Sequence, residues 1–156
     1  MILMNQKIAK REDYSKNEQR YCLLTPKLIA SSQITLKIIN VSNWIAVGIV
    51  KYDFVRNNGL QFLYKQNIFE RGHYMISHKG YAWSDFDENE HHRATAFEFD
   101  TEDVIYLAYN HDQKLISFEN RSKGKTKTLK LFELKDDAYV FAVALLGPGD
   151  SVEIIG

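Results

Sequence analysis

The strongest constraint on this chain is a series of short period-two segments, each closed by a turn. Ile34, Leu36 and Ile38 alternate with Thr35 and Lys37, so an extended strand there has one apolar face and one wet face. Phe97 and Phe99 alternate with Glu98 and Asp100 in the same way. His73–Ser77 reads as a strand, and Tyr81–Ser84 as another after Lys79-Gly80. Val104–Tyr109 runs through Asn110-His111-Asp112-Gln113, a hairpin signal, into Lys114–Phe118. Residues 120–126 read as a polar turn before a strand carrying Leu129 and Leu131. Asn57-Asn58-Gly59 and Gly147-Pro148-Gly149-Asp150 are further turn signals, the second leading into Ser151–Ile155. About ten to twelve short strands with no amphipathic helix predict an all-β sandwich or barrel. No internal repeat supports a propeller.

Two segments break the alternation. Trp44–Val50 and Tyr139–Leu145 are apolar almost without interruption. An unbroken apolar strand is covered on both faces, or else leaves an exposed patch for binding. The first reading is the expectation here.

Composition narrows the class. The chain has 156 residues, 20 Lys+Arg against 20 Asp+Glu, and 13% aromatic residues. That length suits one domain, which buries roughly 70% of its unfolded surface. Zero net charge argues against a generic phosphate-binding surface while allowing a local basic patch. The single cysteine, Cys22, rules out an internal disulfide framework and a thiolate zinc cage, and an intracellular location is expected. No apolar run approaches the ~18 residues of a membrane span. Residues 1–20 are mostly polar and form an N-terminal extension, with at most one strand expected.

Catalytic signatures are absent. There is no Gly-rich phosphate loop, no HExxH and no CxxC. Cys22 sits beside Leu23 and Leu24, the setting of a buried, inert thiol. Ser151 follows a turn but lacks the strand-to-helix elbow of a nucleophilic serine. No enzyme activity, cofactor or metal is expected.

Two charged clusters remain. Asp85, Asp87 and Asn89, with Glu88, Glu90, His91 and His92, have the alternate spacing that opens a calcium loop. The pivot glycine is missing, its place taken by Glu90, and the distal glutamate is replaced by Ala96, so a solvated loop is the plainer reading. Arg121–Lys130 carries Lys123, Lys125 and Lys127 at alternate positions, which share one face of an extended strand. No aromatic interleaves them, as a single-strand nucleic-acid platform requires. A charged edge strand or contact with an acidic partner fits the pattern better.

The ordered fragments resemble the SPRY domain family. Trp44-Ile45-Ala46-Val47-Gly48-Ile49 is similar to its W-x-V-G-V strand, and Tyr74–Trp83, with Gly80 inside it, to its G-x-x-W segment. Asp103-Val104-Ile105, Asp112–Phe118 and Gly149-Asp150-Ser151-Val152-Glu153-Ile154 resemble three later motifs, and Leu24-Thr25-Pro26 fits the lead-in. The likeness covers residues 21–156. Glu102 stands where the family usually has Gly, and Lys114 and Arg121 stand where hairpin glycines are common. The proline expected before the penultimate strand is absent at Tyr139-Val140-Phe141.

The resemblance implies a bent antiparallel two-sheet β-sandwich. It implies a non-catalytic module that binds a protein or peptide through loops at one rim. Such a module recruits substrates to ubiquitin ligases as an adaptor, or acts as a scaffold subunit of a larger complex. At this length no RING, B-box, coiled coil or SOCS-box-type helix pair is expected beside the domain within these 156 residues. The candidate rim is Tyr52, Phe54, Arg56, Asn57, Asn58, Tyr74, Tyr81, Trp83, Asp85, Tyr109 and Arg121, chosen as aromatic and polar residues near turns. The alternatives are a lectin-like sandwich binding carbohydrate or calcium, with paired carboxylates on a concave face, and a nucleic-acid binder using residues 121–130.

Overall fold

The computed structural model describes residues 2–5, 8–11, 20–57, 73–84, 93–131 and 138–156. Among them, thirteen strands and one short helix follow in the order β1 (Ile2–Asn5), β2 (Ile8–Arg11), β3 (Arg20–Leu23), β4 (Ser32–Asn40), β5 (Ile45–Lys51), α1 (Tyr52–Asn57), β6 (His73–Ser77), β7 (Tyr81–Ser84), β8 (Arg93–Ala94), β9 (Val104–Asn110), β10 (Leu115–Asn120), β11 (Lys125–Lys130), β12 (Tyr139–Leu145) and β13 (Ser151–Ile154). One sheet has the order β1-β2-β13-β4-β9-β10-β11, the other β3-β12-β5-β6-β7-β8. Every neighbouring pair is antiparallel. The two-sheet sandwich expected from the sequence is therefore the architecture, and it is not a barrel.

The seven-stranded sheet obeys period two. Ile34, Leu36 and Ile38 of β4, Ile105 and Leu107 of β9, and Ile116 and Phe118 of β10 are buried between the sheets, and their alternate neighbours are less buried. The six-stranded sheet does not alternate. Every residue of β5, β6 and β12 is buried. Ile45, Val47, Ile49, Phe141, Val143 and Leu145 face the inter-sheet core. Ala46, Val50, Met75, Ala142 and Ala144 form a second core with Tyr21, Val55 and Trp83, flanked by half-buried Trp44 and Phe54. The two uninterrupted apolar segments are thus covered on both faces. Alanines on one side of that second layer leave room for the large rings on the other.

Four local differences from the sequence reading have physical causes. Residues 52–57 form a helical turn where strands and turns alone were expected, and buried Val55 pins it to the second core. Such a short helix depends on tertiary packing rather than propensity. Phe97 and Phe99 are both 2% exposed but lie in irregular chain, because only scattered backbone bonds, such as Phe99 N–H to the His78 carbonyl at 3.1 Å, reach this segment. The β11 strand starts at Lys125, so the preceding turn is shorter than expected. Two strands, not one, arise within the first twenty residues. Buried Arg11 of β2 donates from Nη1 to the Leu145 carbonyl of β12 at 3.1 Å, which ties one sheet to the other.

The turns are held by two acids. Asp150 is fully buried and accepts four backbone N–H groups: Ser42 and Asn43 on Oδ1, both at 2.8 Å, and Trp44 and Gly147 on Oδ2, both at 3.1 Å. It clamps the β4–β5 turn to the β12–β13 turn. Asp103 Oδ2 accepts from Asp100 N at 2.9 Å and Asn120 Nδ2 at 3.0 Å, and pairs with Lys123 Nζ at 3.1 Å. Burial alone would raise the Asp103 pKa, but the Asn120, Asp100 and Lys123 contacts outweigh it and hold the carboxyl below its ordinary value. Glu102 and Lys114 adopt φ of 73° and 51°, the left-handed region that favours the glycine expected at each place. Arg121 is not among the positive-φ residues. No helix among the described residues is long and apolar enough to cross a membrane.

Candidate partner-binding surface

Helix α1 carries four of the residues expected at the rim. Tyr52 and Phe54 are half-buried, and Arg56 and Asn57 are exposed. The Tyr52 amide donates to the Ala138 carbonyl at 3.0 Å, which fixes the start of the helix to the chain entering β12. Two cations approach the Tyr52 ring. Lys27 Nζ is 4.6 Å from its centroid and Arg56 Cζ is 5.8 Å away. Arg56 Nη1 also donates to the Tyr52 hydroxyl at 3.3 Å, and Lys27 pairs with Asp53 at 3.6 Å. Each cation–ring contact at an exposed site contributes about 0.5–1 kcal/mol. The aromatic thus carries two positive charges within about 6 Å of its centre. Two residues beyond Lys27, Ile29 is 87% exposed. Sequence reasoning passed over Lys27, whose only signal was its place after Pro26.

The remaining described rim residues do not join this group. Tyr81 is 41% exposed but sits at the opposite end of the six-stranded sheet. Ser77, opposite Ala46 of β5, marks that end, and Tyr52 lies six residues further along, roughly 20 Å away at strand spacing. Arg121 is exposed on the other sheet, its Cζ 4.3 Å over the Tyr106 ring and its Nε 3.8 Å from Glu119.

Three expected rim residues are core residues. Tyr74 is fully buried and meets Tyr139 edge-on at 5.9 Å, and Tyr109, 3% exposed, lies 6.0 Å from the same ring. Burial pushes the Tyr109 hydroxyl pKa up, and that hydroxyl lies 3.1 Å from His111 Nδ1. Trp83 is 3% exposed and packs against Trp44 at 5.9 Å. Nearness to a turn in sequence failed as a guide because Tyr74 and Tyr109 face the core between the sheets, while Trp83 sits in the second core on the covered outer face of the six-stranded sheet. Asn58 and Asp85, with the rest of the 85–92 cluster, lie outside the described residues.

The basic segment divides as well. Lys123 is drawn to Asp103 and Arg121 to Tyr106, so the expected three-lysine stripe reduces to Lys125 and Lys127. Cys22 is buried, and burial pushes its thiol up to about 11, which makes it a poor nucleophile. Among the described residues no group of three or more His, Cys, Asp or Glu is placed to hold a metal. A shallow groove of about 520 Å³ on the seven-stranded sheet is lined by Ser31, Gln33, Asn110, Gln113 and Ser117 and, among the described residues, by no carboxylate.

No protein-family model matches the chain, and no curated protein matches it in sequence. Solved structures do match. The SPRY domain of human HERC1 superposes with a TM-score of 0.62 over 98% of this chain and 91% of its own, at 14% identity. A further human SPRY domain gives 0.60 over 98% and 93%, also at 14% identity. The PSpry domain of TRIM65 gives 0.66 over 99% and 84%, at 9% identity. This is the SPRY fold. The residues that carried the sequence resemblance are structural within it. Gly48 lies against the Tyr74 carbonyl, Trp83 against Trp44, and Asp103 and Asp150 clamp turns. SPRY motifs therefore mark the frame and do not themselves locate a partner.

Proposed function

We propose that this chain is a non-catalytic protein-interaction module inside the cell, serving as a subunit or substrate-recruiting adaptor of a larger assembly. The SPRY likeness supports a protein or peptide as the ligand. The observation that carries the choice of surface is the Tyr52 ring contacted by both Lys27 and Arg56 on a short helix at the end of a fully buried strand. Rigid aromatic and arginine side chains lose little entropy on docking and dominate binding energy at interfaces.

The test is capture of partners by the immobilised full chain, with Tyr52→Ala plus Arg56→Ala as the comparison. Near-UV circular dichroism serves as the folding control. The expected result is loss of at least one saturable protein partner in the folded variant. An identical captured set rejects α1 as the surface, and no saturable partner for either protein rejects the module reading.

A further inference from the structure

The two sheets end side by side in a basic groove. The six-stranded sheet ends at β8 and the seven-stranded sheet at β11. Between them lies an open groove of about 760 Å³, lined by Arg93, Thr95, Phe97, Lys125, Thr126 and Lys127 among others. Phe97 is 2% exposed and packs on Phe118, so the floor is closed and apolar. Lys125 and Lys127 lie opposite Asn120 and Phe118 of β10, both buried, so they stand on the inner face of β11. Arg93 reaches the groove from the other edge. Neither Arg93 nor Lys125 forms an ion pair with a described residue. Among the described residues, no acid lines the groove.

The backbone of β11 adds a second property. Leu131 N–H donates to the Lys114 carbonyl at 2.9 Å. Hydrogen-bonded pairs alternate in an antiparallel ladder, so Leu129, Lys127 and Lys125 share that bonded set with β10. The N–H and C=O groups of Thr126, Thr128 and Lys130 then point away from β10, along an edge that no described strand covers. Such an edge accepts another strand, and its lysines decide which one. A second copy of β11 would set lysine against lysine. An acidic strand would neutralise them.

We propose that β11 takes an extended, carboxylate-rich segment of a partner protein as an added strand. Acidic side chains at alternate positions of that segment would enter the groove toward Arg93 and Lys125. The site is separate from α1 and stands or falls independently of it.

The probe is a fluorescent peptide of alternating glutamate and valine, read by anisotropy with the full chain. Its controls are the lysine–valine counterpart, the same acidic peptide with alternate backbone amides N-methylated, and a single-stranded oligonucleotide. Saturable binding of the acidic peptide is expected. Arg93→Glu plus Lys125→Glu should weaken it at least about tenfold, as loss of complementary charge does at interfaces. Thr128→Pro, which removes an outward N–H without touching the β10 ladder, should weaken it several-fold. Tyr52→Ala plus Arg56→Ala should leave it unchanged. The proposal is overturned by no binding of the acidic peptide, by equal binding of the lysine peptide, by indifference to N-methylation, or by tighter binding of the oligonucleotide.

Discussion

Removing the Asp150 carboxylate should nearly unfold the protein, although it lies on a turn and does no chemistry. Asp150→Ala strands four backbone donors at once. The Gly147 N–H is in a fully buried bond, and an unsatisfied buried donor costs about 1–3 kcal/mol. The Ser42, Asn43 and Trp44 groups are partly buried, so water recovers some of their bonding and each loses about 0.5–1 kcal/mol. The total is about 3–6 kcal/mol, against the 5–15 kcal/mol that typically holds a domain together. Asp150→Asn is the sharper variant. Its oxygen keeps Ser42 and Asn43, but its amide group faces the Trp44 and Gly147 donors, so a loss of about 2–4 kcal/mol is expected. Asp112→Asn, in an exposed turn, should change stability by less than about 0.5 kcal/mol. Urea titration followed by far-UV circular dichroism and tryptophan fluorescence measures all three, with the midpoint shifting at constant slope. A loss below about 1 kcal/mol for both Asp150 variants would refute the clamp.

Three further outcomes follow from local geometry. A Cβ at position 48 would lie 2.1 Å from the Tyr74 carbonyl oxygen and 3.0 Å from Met75 Cα, so Gly48→Ala must push β5 and β6 apart. We expect a loss of about 3 kcal/mol and a Tm drop of roughly 6–12 °C, and a drop under about 2 °C would contradict the contact. Lys114→Gly relieves a left-handed residue, and the gain exceeds the added unfolded-state freedom, so a rise of about 0.5–1 kcal/mol in urea stability is expected. Burial first, and then the Lys79 charge, lower the His78 pKa below 6.5 against the weaker pull of the Ile45 backbone, Asp150 and Asp100. Above that value both folded and unfolded states hold neutral imidazole; as pH falls below it the unfolded state gains a proton that the fold resists, so stability drops. Urea midpoints at neutral and mildly acidic pH should therefore diverge more for the native chain than for His78→Gln, and equal divergence would exclude His78 as the source.

The sequence by itself determined the sandwich and its inner faces. Alternation at Ile34, Leu36 and Ile38 works because a strand with one wet face writes its orientation into every second residue. The uninterrupted segments 44–50 and 139–145 announced the strands covered on both sides. That same coverage made surface positions illegible there. Nothing in the letters around Trp83 distinguishes a ring under a second layer from a ring at a rim. Only the tertiary structure set Lys27 beside Tyr52 across 24 intervening positions, and sent Lys123 to Asp103 while leaving Lys125 at the groove. Secondary structure follows from local periodicity, whereas a binding surface is made where distant segments meet. Those meetings are decided by sheet order and register, which short-range patterns do not encode.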